Sequence, residues 1–174
     1  ACKHMADKLD SRVEWEISSL GGPAGWVTSC EIAKIRRLKK SYKASQFVIH
    51  FRWKDGAPPI EIDQRVGTMV FTHLQRASLV PEQLDECRAL LVLGGGLRTH
   101  EEIDWATERG LGVVPLASSG GAALKYWQAH RGSPPELGGR ETDANTWELL
   151  ANNMGNVAAD AAARLLAQAM YARR

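Results

Sequence analysis

The sequence predicts a doubly wound α/β domain, a parallel sheet with helices on both faces. Three observations carry this expectation. Leu90 to Leu93 is an unbroken apolar run, as expected of a strand buried on both faces. Gly94-Gly95-Gly96 follows, then a helix with Ile103, Ala106 and Leu111 on one side; Val113 to Leu116 repeats the strand, and Ser118 to Ala123 repeats the small-residue turn before another helix. Strands also alternate with helices along the rest of the chain, the pattern of a parallel sheet.

Taken in order, Ala6 to Arg12 is polar and reads as the frayed end of a helix. Val13 to Leu20 alternates apolar and polar residues at the strand period. Gly21-Gly22-Pro23-Ala24-Gly25 turns the chain into a helix over about Val27 to Tyr42, with Ile32, Ile35 and Leu38 on one side. Lys34, Arg36, Arg37, Lys39, Lys40 and Lys43 crowd the remainder, which reads as a solvated face with cations suited to the helix C-terminus. Gln46 to Trp53 is a strong strand, and Lys54 to Pro59 a turn or loop. Ile60 to Ala77 reads as a helix from the spacing of Val66, Met69, Val70, Phe71 and Leu74, and Pro81 opens a short further turn. Thr99 to Glu102 and Asn145 to Glu148 each fit a capping box, Gly132 to Asp143 is a loop, and Asn156 is placed to cap the last helix, Val157 to Tyr171. The alanines of that helix permit close approach to the sheet or to a second subunit. Strands anchored at Val13, Phe47, Leu90 and Val113 are few for such a sheet, so an upstream strand or a partner chain at the edge is expected.

The 174 residues suffice for one domain with a real core. Ala1 to Met5 read as a cloning remnant, leaving residues 6–174 as a single domain. A formal net charge of +2 gives no global field for DNA or an anionic membrane. No apolar run approaches the ~20 residues that span a bilayer, and no secretory signal is visible. Cys2, Cys30 and Cys87 have no metal-like spacing and read as reduced thiols, so the expected location is cytoplasmic, with neither a metal nor a cofactor.

The chemistry concentrates in the turns. Gly94, Gly95, Gly96 and Leu97 offer backbone amides, Arg98 a cation, Thr99 a hydroxyl and Glu102 a carboxylate, a set suited to phosphate oxygens and ribose hydroxyls. Glycine there also serves merely to fit a helix against a strand. Gly21, Gly22 and Gly25, and Ser118, Ser119, Gly120 and Gly121, stand at the same end of their expected strands, where open α/β sheets bind ligands. Trp105, Trp127 and Trp147 read as core or interface residues.

The run Leu91 to Glu102, with Val113 to Ala123 after it, resembles the SLOG superfamily of Rossmann-like domains. Its Lonely guy phosphoribohydrolases carry Pro-Gly-Gly-x-Gly-Thr-x-x-Glu. Gly95, Gly96, Thr99 and Glu102 match, while Gly94 stands at the proline and Arg98 at the third glycine. The resemblance implies an arginine on the preceding helix, for which Arg65 and Arg76 both serve. The Ser-Gly-Gly-Ala-Ala turn looks more like the sensing branch associated with Sir2 and TIR effectors in antiphage systems such as Thoeris.

That branch implies a non-catalytic domain that binds a cyclic ADP-ribose-type signal, an ADP-ribose-type nucleotide derived from NAD. It also implies a homodimer or higher homo-oligomer and an attached NAD-consuming effector. Two alternatives stay open. A nucleoside 5′-monophosphate phosphoribohydrolase would use Glu102 as its catalytic carboxylate. A single-strand nucleic-acid binder would use the Lys34 to Lys43 face, though few aromatics interleave it.

Overall fold

A computed structural model describes residues 1–12, 14–20, 22–52 and 66–171. The protein has a Rossmann-like α/β fold. Helix α1 (Cys2–Leu9) precedes strand β1 (Ile17–Ser19) and helix α2 (Pro23–Leu38); then come β2 (Phe47–Arg52), β3 (Thr68–Thr72), α3 (Arg76–Asp85), β4 (Ala89–Leu93), α4 (Leu97–Glu108), β5 (Gly112–Leu116), α5 (Gly121–Ala129), α6 (Ala144–Leu149) and α7 (Gly155–Met170). The strands form two parallel ladders, β1-β2-β3 and β4-β5.

The apolar run at β4 is explained by its two faces. Leu91 and Leu93, with Val114 and Leu116 of β5, pack into one core with Ile32, Phe47 and the α7 alanines. Leu90 and Val92, with Val113, pack into a second core with Val80 and Leu84 of α3, Ile103 and Ala106 of α4, and Ala122 and Ala123 of α5. Both ladders contribute to the first core, since Ile17 and Phe47 join it from β1 and β2. The α7 alanines are used within the chain: a side chain at Gly112 of β5 would stand 2.7 Å from the Ala169 methyl, so small residues on both sides let helix and strand meet.

Several expectations are corrected. Residues Thr68–Thr72, read as helical from apolar spacing, are a strand hydrogen-bonded beside β2. Thr, Val and Phe favour the pleated form, and Gly67 breaks any helix there. It sits at φ 64° with its Cβ position 2.2 Å from the Phe47 carbonyl oxygen, and its amide donates to the Tyr42 hydroxyl. The fifth strand therefore lies within the chain; Trp53 to Arg65 lie outside the described residues. The first strand is only Ile17–Ser19, shorter than Val13 to Leu20, and Pro81 is inside α3 rather than at its start.

The helix ends also differ. Asp143, not Asn145, caps α6, its carboxylate accepting from the Thr146 amide at 2.7 Å. Asn152 accepts from the Met154 amide ahead of α7, and Asn156 caps nothing. Met5 and Ala6, the first set aside as a remnant, are fully buried on α1, which packs against α2 and α7. The basic run on α2 is not wholly solvated. Arg36 is completely buried, donating to the Arg12 carbonyl (2.8 Å) and the Gln46 side chain (3.1 Å) over the Phe47 ring. Leu38, expected on the apolar side, is exposed.

Two predictions follow from the packing. Leu116→Ala, emptying a site that is 1 % exposed, should lower unfolding free energy by about 2–5 kcal/mol in urea titration. His50, on β2, is held below the ordinary histidine range by burial, against a smaller opposing pull from Glu86. Its unfolded form takes a proton more readily than its folded form. Stability is therefore full above about pH 6.5 and falls as the pH drops from there through the lowered folded value. His50→Gln should flatten that part of a stability–pH curve.

Candidate nucleotide site

The turn after β4 and the turn after β5 lock onto each other. The Ala122 amide donates to the Gly95 carbonyl (2.9 Å) and the Ala123 amide to the Gly94 carbonyl (3.0 Å). The Gly94 amide donates to the Ser119 hydroxyl oxygen (2.7 Å), whose own proton goes to the Leu116 carbonyl (2.5 Å). The glycines are required by this contact. Gly121 sits at φ 60°, and a Cβ there would stand 2.3 Å from the Gly95 oxygen. Gly95 sits at φ 91°, with the Thr99 side chain in the place of its own.

These bonds engage two of the expected ligand residues, Ser118 and Ser119, within the protein. The Ala122 and Ala123 amides at the start of α5 and the Ser119 hydroxyl are consumed by the loop pair, and the Ser118 amide donates to the Leu150 carbonyl. Thr99 packs over Gly95 instead of capping α4, whose cap residue is Gly96 with no side-chain bond to the helix. Glu102 does not reach back to close a capping box; it faces Arg76. Gly25 serves packing too. It lies in the first turn of α2 with its Cβ position 2.4 Å from the Ser19 hydroxyl oxygen, so it lets the helix approach β1.

What stays open is the start of α4. Gly96 and Gly120 have empty space where side chains would be, and so does Gly22 after β1. Gly96, Leu97 and Arg98 are exposed. The Thr99 and His100 amides both turn back to the Gly96 carbonyl, so Leu97 and Arg98 present the leading amides of the helix. Gly21 lies outside the described residues.

Arg76 borders this opening. It is the first residue of α3, and its side chain is 17 % exposed. It donates to the Glu102 carboxylate (2.9 Å), to the Glu101 carboxylate and to the Arg98 carbonyl, with its guanidinium 5.1 Å from the centre of the Trp105 ring. Of the two arginines suggested by sequence, Arg76 meets the motif; Arg65 lies outside the described residues. Glu101 and Trp105 were not anticipated in this role. Their spacing from Glu102 gives the signal: 101, 102 and 105 share one side of a helix that begins at Leu97.

Trp127 and Trp147 are core residues, joined by a bond from the Trp127 indole to the Trp147 carbonyl at 2.9 Å. Cys2, Cys30 and Cys87 are free thiols, and burial raises Cys30 and Cys87 above the usual thiol range. Among the described residues, no cluster of His, Cys, Asp and Glu is placed to hold a metal ion, and no helix is long and apolar enough to cross a membrane. No family model, curated protein or solved structure matches the chain.

The loop lock is testable without a ligand. Gly121→Ala forces a methyl against the Gly95 carbonyl at a positive φ. It should cost more than the ~1 kcal/mol of an ordinary lost hydrogen bond. Gly132→Ala, at an open position, should be close to neutral in the same denaturant titration.

Proposed function

We propose that this chain is a binding domain for an NAD-derived nucleotide of the ADP-ribose type. Its role would be that of the sensing branch it resembles, where a cyclic ADP-ribose-type signal regulates an attached NAD-consuming effector in antiphage defence. One observation carries the reading. The interlocked turns after β4 and β5 hold the uncapped start of α4 open, with Arg98 exposed at it and the Arg76–Glu102 pair alongside. A helix start with outward amides and a positive dipole end favours a phosphate. Carboxylates on the same turn accept from ribose hydroxyls.

Calorimetry and thermal shift with NAD, ADP-ribose, the cyclic ADP-ribose isomers and AMP test this. Binding of a cyclic isomer with a rise in melting temperature is the expected result. Silence with every nucleotide overturns the reading, and binding of AMP alone turns it toward the alternative below.

That second reading, an N-glycosidase of nucleoside monophosphates, is favoured by the 2.9 Å Arg76–Glu102 bond. A carboxylate fixed by an arginine is placed to stabilise a ribosyl cation while cationic groups hold the phosphate. Incubation with AMP would then release free base, and Glu102→Gln would abolish the release. Base release unchanged in the variant would remove Glu102 from the chemistry.

A further inference from the structure

We infer that Arg52 reads a phosphate carried on the ligand's ribose. The nucleotide taken by this site is then one with a ribose phosphomonoester in addition to its diphosphate. This rests on the nucleotide reading above and narrows it.

The placement comes from strand register. Ser19 of β1 pairs with Ile49 of β2, and Arg52 lies as far past Ile49 as Gly22 lies past Ser19. Arg52 also pairs with Thr72, the last residue of β3. It therefore stands at the carboxyl edge of the ladder, level with the glycine turn that opens α2. In doubly wound sheets a ligand crossing such a turn sets its ribose beside the end of the neighbouring strand. A carboxylate there accepts from a free 2′-hydroxyl, whereas an arginine accommodates a 2′-phosphate. This chain ends β2 in an arginine.

The surroundings of Arg52 support the assignment. Its Nε is shut off from solvent and has no hydrogen-bond partner. Arg76 of α3 is held by two carboxylates, and Arg36 of α2, whose Nε also lacks a partner, is held through its other two nitrogens by the Gln46 side chain and the Arg12 carbonyl. Among the described residues no carboxylate forms an ion pair with Arg52. His50, one step up on the same sheet face, also has a buried ring nitrogen, Nδ1, without a partner. Helix α3 covers part of that face, where Gln83 donates to the Ser18 hydroxyl at 2.5 Å. A guanidinium kept without an acceptor at a binding edge carries a desolvation cost that an arriving phosphate relieves, and its planar fork suits phosphate oxygens in pairs.

The experiment compares ADP-ribose 2′-phosphate with ADP-ribose by calorimetry on the full chain, the wild type and two variants, Arg52→Gln and Arg52→Lys. The wild type should prefer the phosphorylated ligand by about tenfold or more, as expected of a charge-assisted fork. Arg52→Gln should bring the two affinities together by weakening the phosphorylated ligand more than ADP-ribose, and Arg52→Lys should keep part of the preference. Equal binding of both ligands by the wild type, or a preference for ADP-ribose, overturns the role of Arg52 and leaves the nucleotide reading standing. Binding of neither overturns the inference, and where the cyclic ADP-ribose isomers and AMP are silent as well, it overturns the nucleotide reading too. A preference that survives in Arg52→Gln, with the variant's melting curve confirming that it folds, assigns the phosphate to another group and overturns the inference.

Discussion

The candidate site depends on the mutual hydrogen bonding of two turns. The Gly94 and Gly95 carbonyls accept from the Ala123 and Ala122 amides at the start of α5, and the Gly94 amide donates to the Ser119 hydroxyl oxygen. A helix start is ordinarily left with unpaired amides, which a side chain, water or a ligand must satisfy. Here the backbone of the neighbouring turn does so for α5. The positions of α4 and α5 over the β4-β5 ladder are thereby tied together at their N-termini. The cost is conformational: the chain needs glycine at 94, 95 and 121, each at positive φ, where any other residue is strained.

This lock divides the glycines by physical role. Those at 25, 95 and 121 are compelled by close approach, because each Cβ would collide with an atom under 3 Å away. Those at 22, 96 and 120 border empty space and serve no such packing. From sequence the two groups look alike, since each stands in a strand–turn–helix junction. The apolar run of β4 and its turn were legible because residues buried on both faces leave no polar positions. The β3 strand was not. Val66, Met69, Val70, Phe71 and Leu74, in and around it, fall at spacings that either a helix or a strand can bury, and the deciding contact, Gly67 against Phe47, is made across nineteen intervening positions. The capping boxes failed for a related reason. A capping carboxylate is weakly held by a single amide, and Glu102 instead finds the guanidinium of Arg76, a partner from another helix.

The Arg76 cluster sets the electrostatics that any ligand meets. Its guanidinium is bonded to two carboxylates of α4, so its charge is largely answered within the protein. An anion arriving at the rim therefore finds its attraction mainly in the leading amides of α4 and in Arg98, while the carboxylates repel it from the Arg76 side. That asymmetry orients a ligand that has both kinds of group. Its phosphate is drawn to the amides of Leu97 and Arg98, and its hydroxyl protons toward Glu101 and Glu102.

An inorganic anion satisfies only half of this arrangement, and a neutral sugar only the other half. A molecule that carries both a phosphate and free hydroxyls, as the proposed nucleotide does, has a group for each half. Glu102 is itself tightly constrained. With Arg76 fixed by the Trp105 ring and the Arg98 carbonyl as well as by the carboxylates, Glu102 is positioned before anything binds. A preset acceptor loses little side-chain freedom on binding, so each hydroxyl contact contributes more to affinity than it would at a flexible surface carboxylate.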